Sequence, residues 1–253
     1  MDLITSKSNP KIVQAKKLLQ KKYRDEVGLF LVETKKVIQE AISAGISLQS
    51  LFVLNDNEVD FLSEIDLQNV SVFHVSNGVF KDISSTVTPD GFVAVSKKNE
   101  IVPKYQSGPF LLLDNLQNPD NFGAILRTAV ATNFKQIFCI NCVDEYNPKV
   151  LRASMGNQFK LNISHIAYDD VPKLFANAKL YAMSMEGENL FGIETFSQNI
   201  GFVIGNEGNG VSQTLRKYVQ HTLSIPMENG IESLNASVSA GVVMYYVYSK
   251  CCK

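Results

Sequence analysis

The chain has 253 residues, 45% of them hydrophobic and 19% charged, with a formal net charge of −1. That is enough apolar material for one large or two medium cores, and the near-zero sum excludes a uniformly basic nucleic-acid coat. The opening MDLITSKSNPK lacks the apolar stretch of a signal peptide. No run reaches the roughly 18–20 apolar residues of a membrane span. A cytoplasmic protein without membrane contact is expected.

In chain order, the first hundred residues read as a small α/β unit. Asn9 before Pro10 marks a helix start, expected to run to about Tyr23 with Ile12, Ala15, Leu18 and Leu19 inward. From Lys7 to Arg24 the basic residues Lys7, Lys11, Lys16, Lys17, Lys21, Lys22 and Arg24 occur with no acid between them. Such a run is either a solvated helix face or a basic surface for a polyanion. Leu29–Val32 is strand-like, Glu33–Ala44 is helix-like, and Gly45 is its stop. Leu51–Leu54, Val70–Val75 and Phe92–Val95 are further short strands, the last preceded by a turn at Thr88-Pro89-Asp90-Gly91.

Ser96–Gly108 is polar and carries Pro103 and Gly108, which makes it the candidate linker. The expected division is 1–97, a linker at 98–108, and a second domain at 109–253. In that domain Phe110–Leu113, Gln136–Ile140, Lys179–Met183, Phe202–Ile204 and Thr222–Ile225 read as strands, Asn121–Thr132 and Ser233–Tyr248 as helices. Alternating strands and helices predict an α/β fold with a mostly parallel sheet covered on both faces. Cys139, Cys142, Cys251 and Cys252 are the cysteines. Cys139-x-x-Cys142 lies in a strand-like run with no second pair to complete a zinc site, so both read as packed thiols and no metal is expected.

Three segments carry the chemistry: Asn118–Arg127 (NPDNFGAILR), Ile204–Gly210 (IGNEGNG) and Ile225–Ala236 (IPMENGIESLNA). Each follows a strand-like run, where functional loops of a parallel sheet gather. In the first, Asn121, Gly123 and Arg127 follow at helical spacing. The second packs Gly205, Gly208 and Gly210 beside Asn206 and Glu207. Its spacing is G-x-x-G-x-G, which is neither the dinucleotide fingerprint nor a phosphate loop. In the third, Asn229-Gly230 makes a turn and Ser233 reads as an N-cap. Asn235 at a buried helix start demands a partner for its amide.

In this order and spacing the three segments resemble the motifs of the SpoU/TrmH family of RNA ribose 2′-O-methyltransferases, of the SPOUT superfamily. The resemblance implies a C-terminal α/β domain with a deep trefoil knot and, because Ser84–Val95 matches too, an N-terminal α/β substrate-binding domain of the L30e type. It implies S-adenosyl-L-methionine as cofactor, held by Gly205, Ile225 and Leu234 with Asn206 and Met227 nearby. It also implies a homodimer with RNA as partner, ribosomal RNA being favoured over tRNA. Arg127, Asn121, Glu207, Ser233 and Asn235 become the catalytic candidates. The family proposal makes the arginine a base, but a guanidinium is effectively always protonated. Arg127 is therefore expected to hold the target phosphate and polarise the 2′-hydroxyl, the proton leaving to a phosphate or water. Asn121 and Ser233 would orient it or the substrate, Glu207 pair with a cation or order the loop, and Asn235 hold the third segment. Arg152, in VLRASMG, is expected near the substrate, and Lys7, Lys11 and Lys16 at RNA phosphates, which supply sequence-independent affinity. A non-catalytic RNA-binding or assembly protein would have lost the arginine or asparagine, and both are present. A nicotinamide-dependent enzyme is disfavoured by the glycine spacing.

Overall fold

The protein is described here by a computed structural model covering residues 3–54, 59–86, 88–99, 101–229 and 233–251. Gly230 of the expected turn, Val87 of the Ser84–Val95 segment and Cys252 lie outside the described residues, as does the side chain of Cys251. The chain divides into two compact units, Met1–Glu100 with Tyr146–Phe159, and Ile101–Glu145 with Lys160–Lys253.

The first unit begins with α1 (Pro10–Lys17), where the Asn9 side chain accepts from the Lys11 N–H at 3.0 Å. This helix is shorter than the expected run to Tyr23. The chain turns at Leu18–Gln20 and restarts as α2 (Lys21–Val27). Arg24 explains the break: it is 1% exposed and donates from Nη1 to the Leu18 carbonyl at 2.8 Å. Arg24 therefore belongs to the interior and not to the basic surface. β1 (Leu29–Glu33) is followed by Thr34 at φ +75°, so Glu33 closes the strand and α3 (Lys35–Ser43) starts two residues later than expected. Gly45, at φ +78°, ends α3, with Gly45 N–H on the Ile42 carbonyl and Ile46 N–H on the Ala41 carbonyl, both at 2.9 Å.

β2 (Leu48–Leu54), α4 (Val59–Ser63), β3 (Ser71–Val75), α5 (Asn77–Ile83) and β4 (Phe92–Lys97) complete this part. The sheet order is β1-β4-β2-β3, with β4 antiparallel to β1 and β2, and β2 parallel to β3. Side chains alternate across it. Leu31, Phe52 and Val93 pack with Ile12 and Phe80, whereas Phe30, Val32, Leu51 and Val53 pack with Val37 and Ile38.

The second unit opens with β5 (Phe110–Asp114), α6 (Pro119–Ala131) and β6 (Gln136–Ile140). The chain then places Tyr146–Phe159, including α7 (Pro148–Ser154), in the first unit, where the Tyr146 ring lies 4.5 Å from that of Phe30. A division into consecutive segments had not anticipated this excursion. β7 (Asn162–His165), α8 (Val171–Leu174), β8 (Lys179–Asn189), β9 (Ile200–Ile204), α9 (Gln213–Arg216), β10 (His221–Ser224) and α10 (Ala236–Cys251) follow.

The six strands form a parallel sheet in the order β10-β8-β9-β5-β6-β7. Phe110, Leu112, Phe138 and Val203 share one cluster with Val171, Phe175 and Leu215. On the other side α6 packs on α10, and α10 on β9. All six strands point the same way, so the loops after β5, β9 and β10 emerge at one edge. The strand order turns back between β5 and β9, which is where ligands of open parallel sheets bind. No described helix is long and apolar enough to cross a membrane.

Candidate functional site

The first loop is set by Asn118, whose side chain accepts from the N–H groups of Asp120 (2.8 Å) and Asn121 (3.2 Å), with Pro119 at the first helical position. This fixes Asn121, 8% exposed, on the first turn of α6. The second loop folds back on itself. Asn206 and Gly210 exchange N–H···O bonds of 2.9 Å in both directions, and Asn206 Oδ1 accepts from the N–H groups of Gly208 and Asn209 at 3.0 and 3.1 Å. Asn206 Nδ2 also donates to the Asn115 carbonyl at 2.8 Å, which ties this loop to the end of β5.

A chain of hydrogen bonds links all three loops. Glu207 Oε1 accepts from Asn118 N–H and from Asn121 Nδ2, each at 3.2 Å. Asn121 Oδ1 in turn accepts from Asn235 Nδ2 at 2.9 Å. Asn235 Oδ1 accepts from Ser237 N–H at 2.8 Å and Ser237 Oγ at 2.7 Å, so Asn235 caps α10. Ser233, expected in that role, lies before the helix, which begins at Ala236.

Partial burial pushes the Glu207 carboxyl up, but hydrogen bonds from its own N–H, Asn121 Nδ2 and the Asn118 and Gln117 backbone outweigh this and hold it below the usual glutamate value. A depressed carboxyl stabilises the fold above its ordinary pKa, and that contribution is lost as pH falls through the lower folded value. Glu207→Gln retains an acceptor oxygen and removes the titration. Thermal melts down the acid limb are therefore expected to show a shallower loss of stability for the variant than for the parent. Coincident acid limbs would exclude this contribution.

The linked loops border a cleft of about 360 Å³, within the usual size of ligand sites. Its lining includes Gly205, Asn206, Ile225, Met227 and Leu234, together with Glu207 and Ser233. Met183, Ser184, Met185 and Arg216 also line it and were not picked out by sequence reasoning. The three consecutive residues lie where β8 leaves β10: Ala182 pairs with Thr222, but Glu188 is the residue that pairs with Leu223. Only the irregular register reveals that these side chains reach the cleft. Arg216 is held by its Nε–H on the Val211 carbonyl at 3.1 Å.

Arg127 is not among the cleft residues. It lies on α6, exposed, with no hydrogen bond or ion pair to a described residue. The remaining candidates lie in the first unit. Lys7 and Lys16 pair with Asp82 at 3.2 and 3.6 Å, and the Lys11 ammonium sits 3.7 Å from the centre of the Phe73 ring. The acid missing from the local sequence thus arrives from α5. Arg152, on α7, donates from Nη1 to Ser85 Oγ. None of the histidines lines the cleft: His165 bonds Glu145 at 2.6 Å, His221 stacks on Tyr181, and His74 lies in β3.

The SpoU rRNA Methylase family matches residues 108–245, and the MRM3-like substrate binding domain matches residues 9–94. The chain is 27% identical over 251 residues to the 23S rRNA (guanosine(2553)-2′-O)-methyltransferase RlmP of Bacillus subtilis, covering 98% of this chain and 99% of that one. A crystal structure of an RNA 2′-O ribose methyltransferase superposes with a TM-score of 0.84 at 28% identity over 100% of both chains. The fold is shared as well with the SpoU methyltransferase AviRb of Streptomyces viridochromogenes in complex with AdoMet, with a TM-score of 0.87 at 24% identity over 97% of this chain and 99% of that one.

Proposed function

Because this chain belongs to the SpoU rRNA methylase family, we propose that it transfers the methyl group of S-adenosyl-L-methionine to a ribose 2′-hydroxyl of ribosomal RNA. The observation that carries this reading is the Glu207–Asn121–Asn235 chain, which joins three loops beside one cleft at the switch point of a parallel sheet. The action of the Bacillus relative on 23S rRNA supports the substrate class.

The lining suits the cofactor. Ile204, Ile225, Met227 and Leu234 offer an apolar wall for an adenine ring, while Asn206, Ser184, Ser233 and Ser239 offer polar groups. Glu207 and Arg216 add one charge of each sign, matching a zwitterionic amino-acid end. When bound, the cofactor supplies an electrophilic sulfonium methyl group. The protein has to hold the ribose oxygen in line with that group, since alignment replaces an improbable encounter. Arg127 supplies a permanent positive charge with unused donors on the exposed face of α6. It holds the target phosphate and polarises the 2′-hydroxyl, and the proton leaves to a phosphate oxygen or water. Asn121 is immobilised between Glu207 and Asn235 and so orients the substrate edge of α6, with Ser233 beside the cleft.

The working form is a homodimer in a cytoplasmic setting, with the last helix drawn through a loop as a trefoil knot. Support for the dimer comes from α10, which exposes Val238, Tyr245 and Tyr248, the first two by half or more. A titration of S-adenosylmethionine into the protein, followed by calorimetry, tests the cofactor assignment. One site per chain is expected, with competition by S-adenosylhomocysteine. No heat at saturating cofactor, from protein that melts cooperatively, would remove methyl transfer from consideration.

A further inference from the structure

Glu33 ends β1 and is 4% exposed, yet no cation among the described residues pairs with its carboxylate. Its oxygens accept from Ser84 Oγ at 2.9 Å, from Ser85 N–H at 3.0 Å to each oxygen, and from Ser85 Oγ at 2.7 Å. Burying a carboxylate is costly unless hydrogen bonds or an opposite charge compensate it. Here the hydrogen bonds are supplied by neutral groups, and the charge by Arg152 one hydroxyl further out.

Because the Ser85 hydroxyl proton points at Glu33, its oxygen lone pairs are turned outward. The Nη1–H of Arg152 donates to that oxygen. The remaining N–H donors of Arg152 have no partner among the described residues, and the side chain is half-exposed. A plain structural clasp would set the guanidinium directly on the carboxylate, where the planar fork makes two bonds. The inserted hydroxyl holds the guanidinium in place with a single donor and leaves the rest for an external anion. Thr34, the residue after Glu33, holds φ +75°, a strained value for a β-branched side chain. Backbone strain of this kind gathers at functional positions.

We propose that Glu33 and Ser85 are positioning residues that fix the Arg152 guanidinium as a phosphate anchor for the RNA substrate on the first unit. This rests on the reading that the protein binds RNA, and its test separates the two. The probe is fluorescein-labelled, in-vitro-transcribed large-subunit ribosomal RNA, titrated at several salt concentrations. Arg152→Ala is expected to weaken binding about tenfold and to lower the magnitude of the log-log salt slope by about 0.7 to 0.9, as for one lost phosphate contact. Ser85→Ala keeps the backbone bonds to Glu33 and removes only the relay hydroxyl. It is expected to weaken binding severalfold, raise KM for RNA with kcat unchanged, and lower the melting temperature only modestly, since one of several hydrogen bonds to the buried carboxylate is lost. Ser85→Thr, which restores a hydroxyl, is expected to recover most of the affinity. In the Arg152→Ala background, Ser85→Ala should add nothing.

Full additivity of the two substitutions, or parent-like RNA binding by Ser85→Ala alongside a weakened Arg152→Ala, would overturn the relay. Parent-like binding by Arg152→Ala would remove the anchor itself while leaving RNA binding intact. No RNA binding by the parent protein would instead strike at the functional reading.

Discussion

Arg127→Ala is expected to lower kcat by about a thousandfold, the scale on which positioned electrostatic groups act, with S-adenosylmethionine affinity unchanged. The separation follows from geometry. Arg127 is absent from the lining of the cleft and makes no hydrogen bond or ion pair with a described residue, so its removal breaks no bond that holds the loops or the cofactor walls. Its exposed position on α6 also makes a stability effect small. Arg127→Lys is the sharper variant. Lysine keeps the charge but replaces a planar fork by a single point of donation, and the two are not equivalent where two oxygens must be held at once. Turnover by Arg127→Lys is expected to fall at least about tenfold, and RNA binding much less. Near-normal turnover with normal RNA binding would exclude a specific guanidinium role.

Gly205→Ala is expected to abolish measurable cofactor binding and to destabilise the second unit by about 1–3 kcal/mol, the usual cost of an inserted methyl in a packed site. A Cβ on Gly205 would lie 2.1 Å from the Gly210 carbonyl carbon, 2.2 Å from the Val211 nitrogen and 2.4 Å from the Gly210 oxygen. These are backbone atoms and cannot swing aside as a side chain can. The 206–210 loop must lift, and with it the paired bonds between Asn206 and Gly210. The Asn206 brace on Asn115 and the Glu207 link to Asn121 are carried by the same loop. Gly208→Ala provides the control. The nearest atom to its Cβ is Asn206 Oδ1 at 3.7 Å, an ordinary contact. Its melting temperature should match the parent. Equal cofactor affinity for Gly205→Ala and the parent would mean that the loop is not part of the cofactor site.

Much of this architecture is legible in the sequence because local chemistry decides it. Asn9-Pro10 announces a helix start through a cap and a preset φ, and Gly45 announces a stop, whereas α6 starts at Pro119, two residues before the expected Asn121. The parallel sheet follows from buried strands such as FLLLD and IGFVI alternating with helices. What escapes the sequence depends on partners distant along the chain. The end of α1 is set by the Arg24 guanidinium reaching back to Leu18. β7 has a single large apolar residue, Ile163, and carries no recognisable pattern. Tyr146–Phe159 joins the first unit through the rings of Tyr146 and Phe159 against Phe30.

The candidate site shows the same split. Gly205, Ile225 and Leu234 could be named in advance because the segments that hold them resemble the SpoU/TrmH motifs, and all three line the cleft. Met183 read as the end of a strand, with Ser184 and Met185 beyond it unassigned, and the place of all three beside the cleft appears only when β10 skips from Ala182 to Glu188. Glu33 read as the first residue of a helix, whereas its neighbour's positive φ makes it the buried end of a strand.

The most direct measurement is methyl transfer from radiolabelled S-adenosylmethionine to ribosomal RNA and to bulk tRNA in separate reactions, followed by alkaline hydrolysis. A 2′-O-methyl group blocks the neighbouring hydroxyl from attacking the phosphate, so the labelled linkage survives alkali. The proposed function predicts label in ribosomal RNA, recovered in alkali-resistant dinucleotides, and its loss with Arg127→Ala. Label that hydrolyses to mononucleotides, or label confined to tRNA, would contradict it.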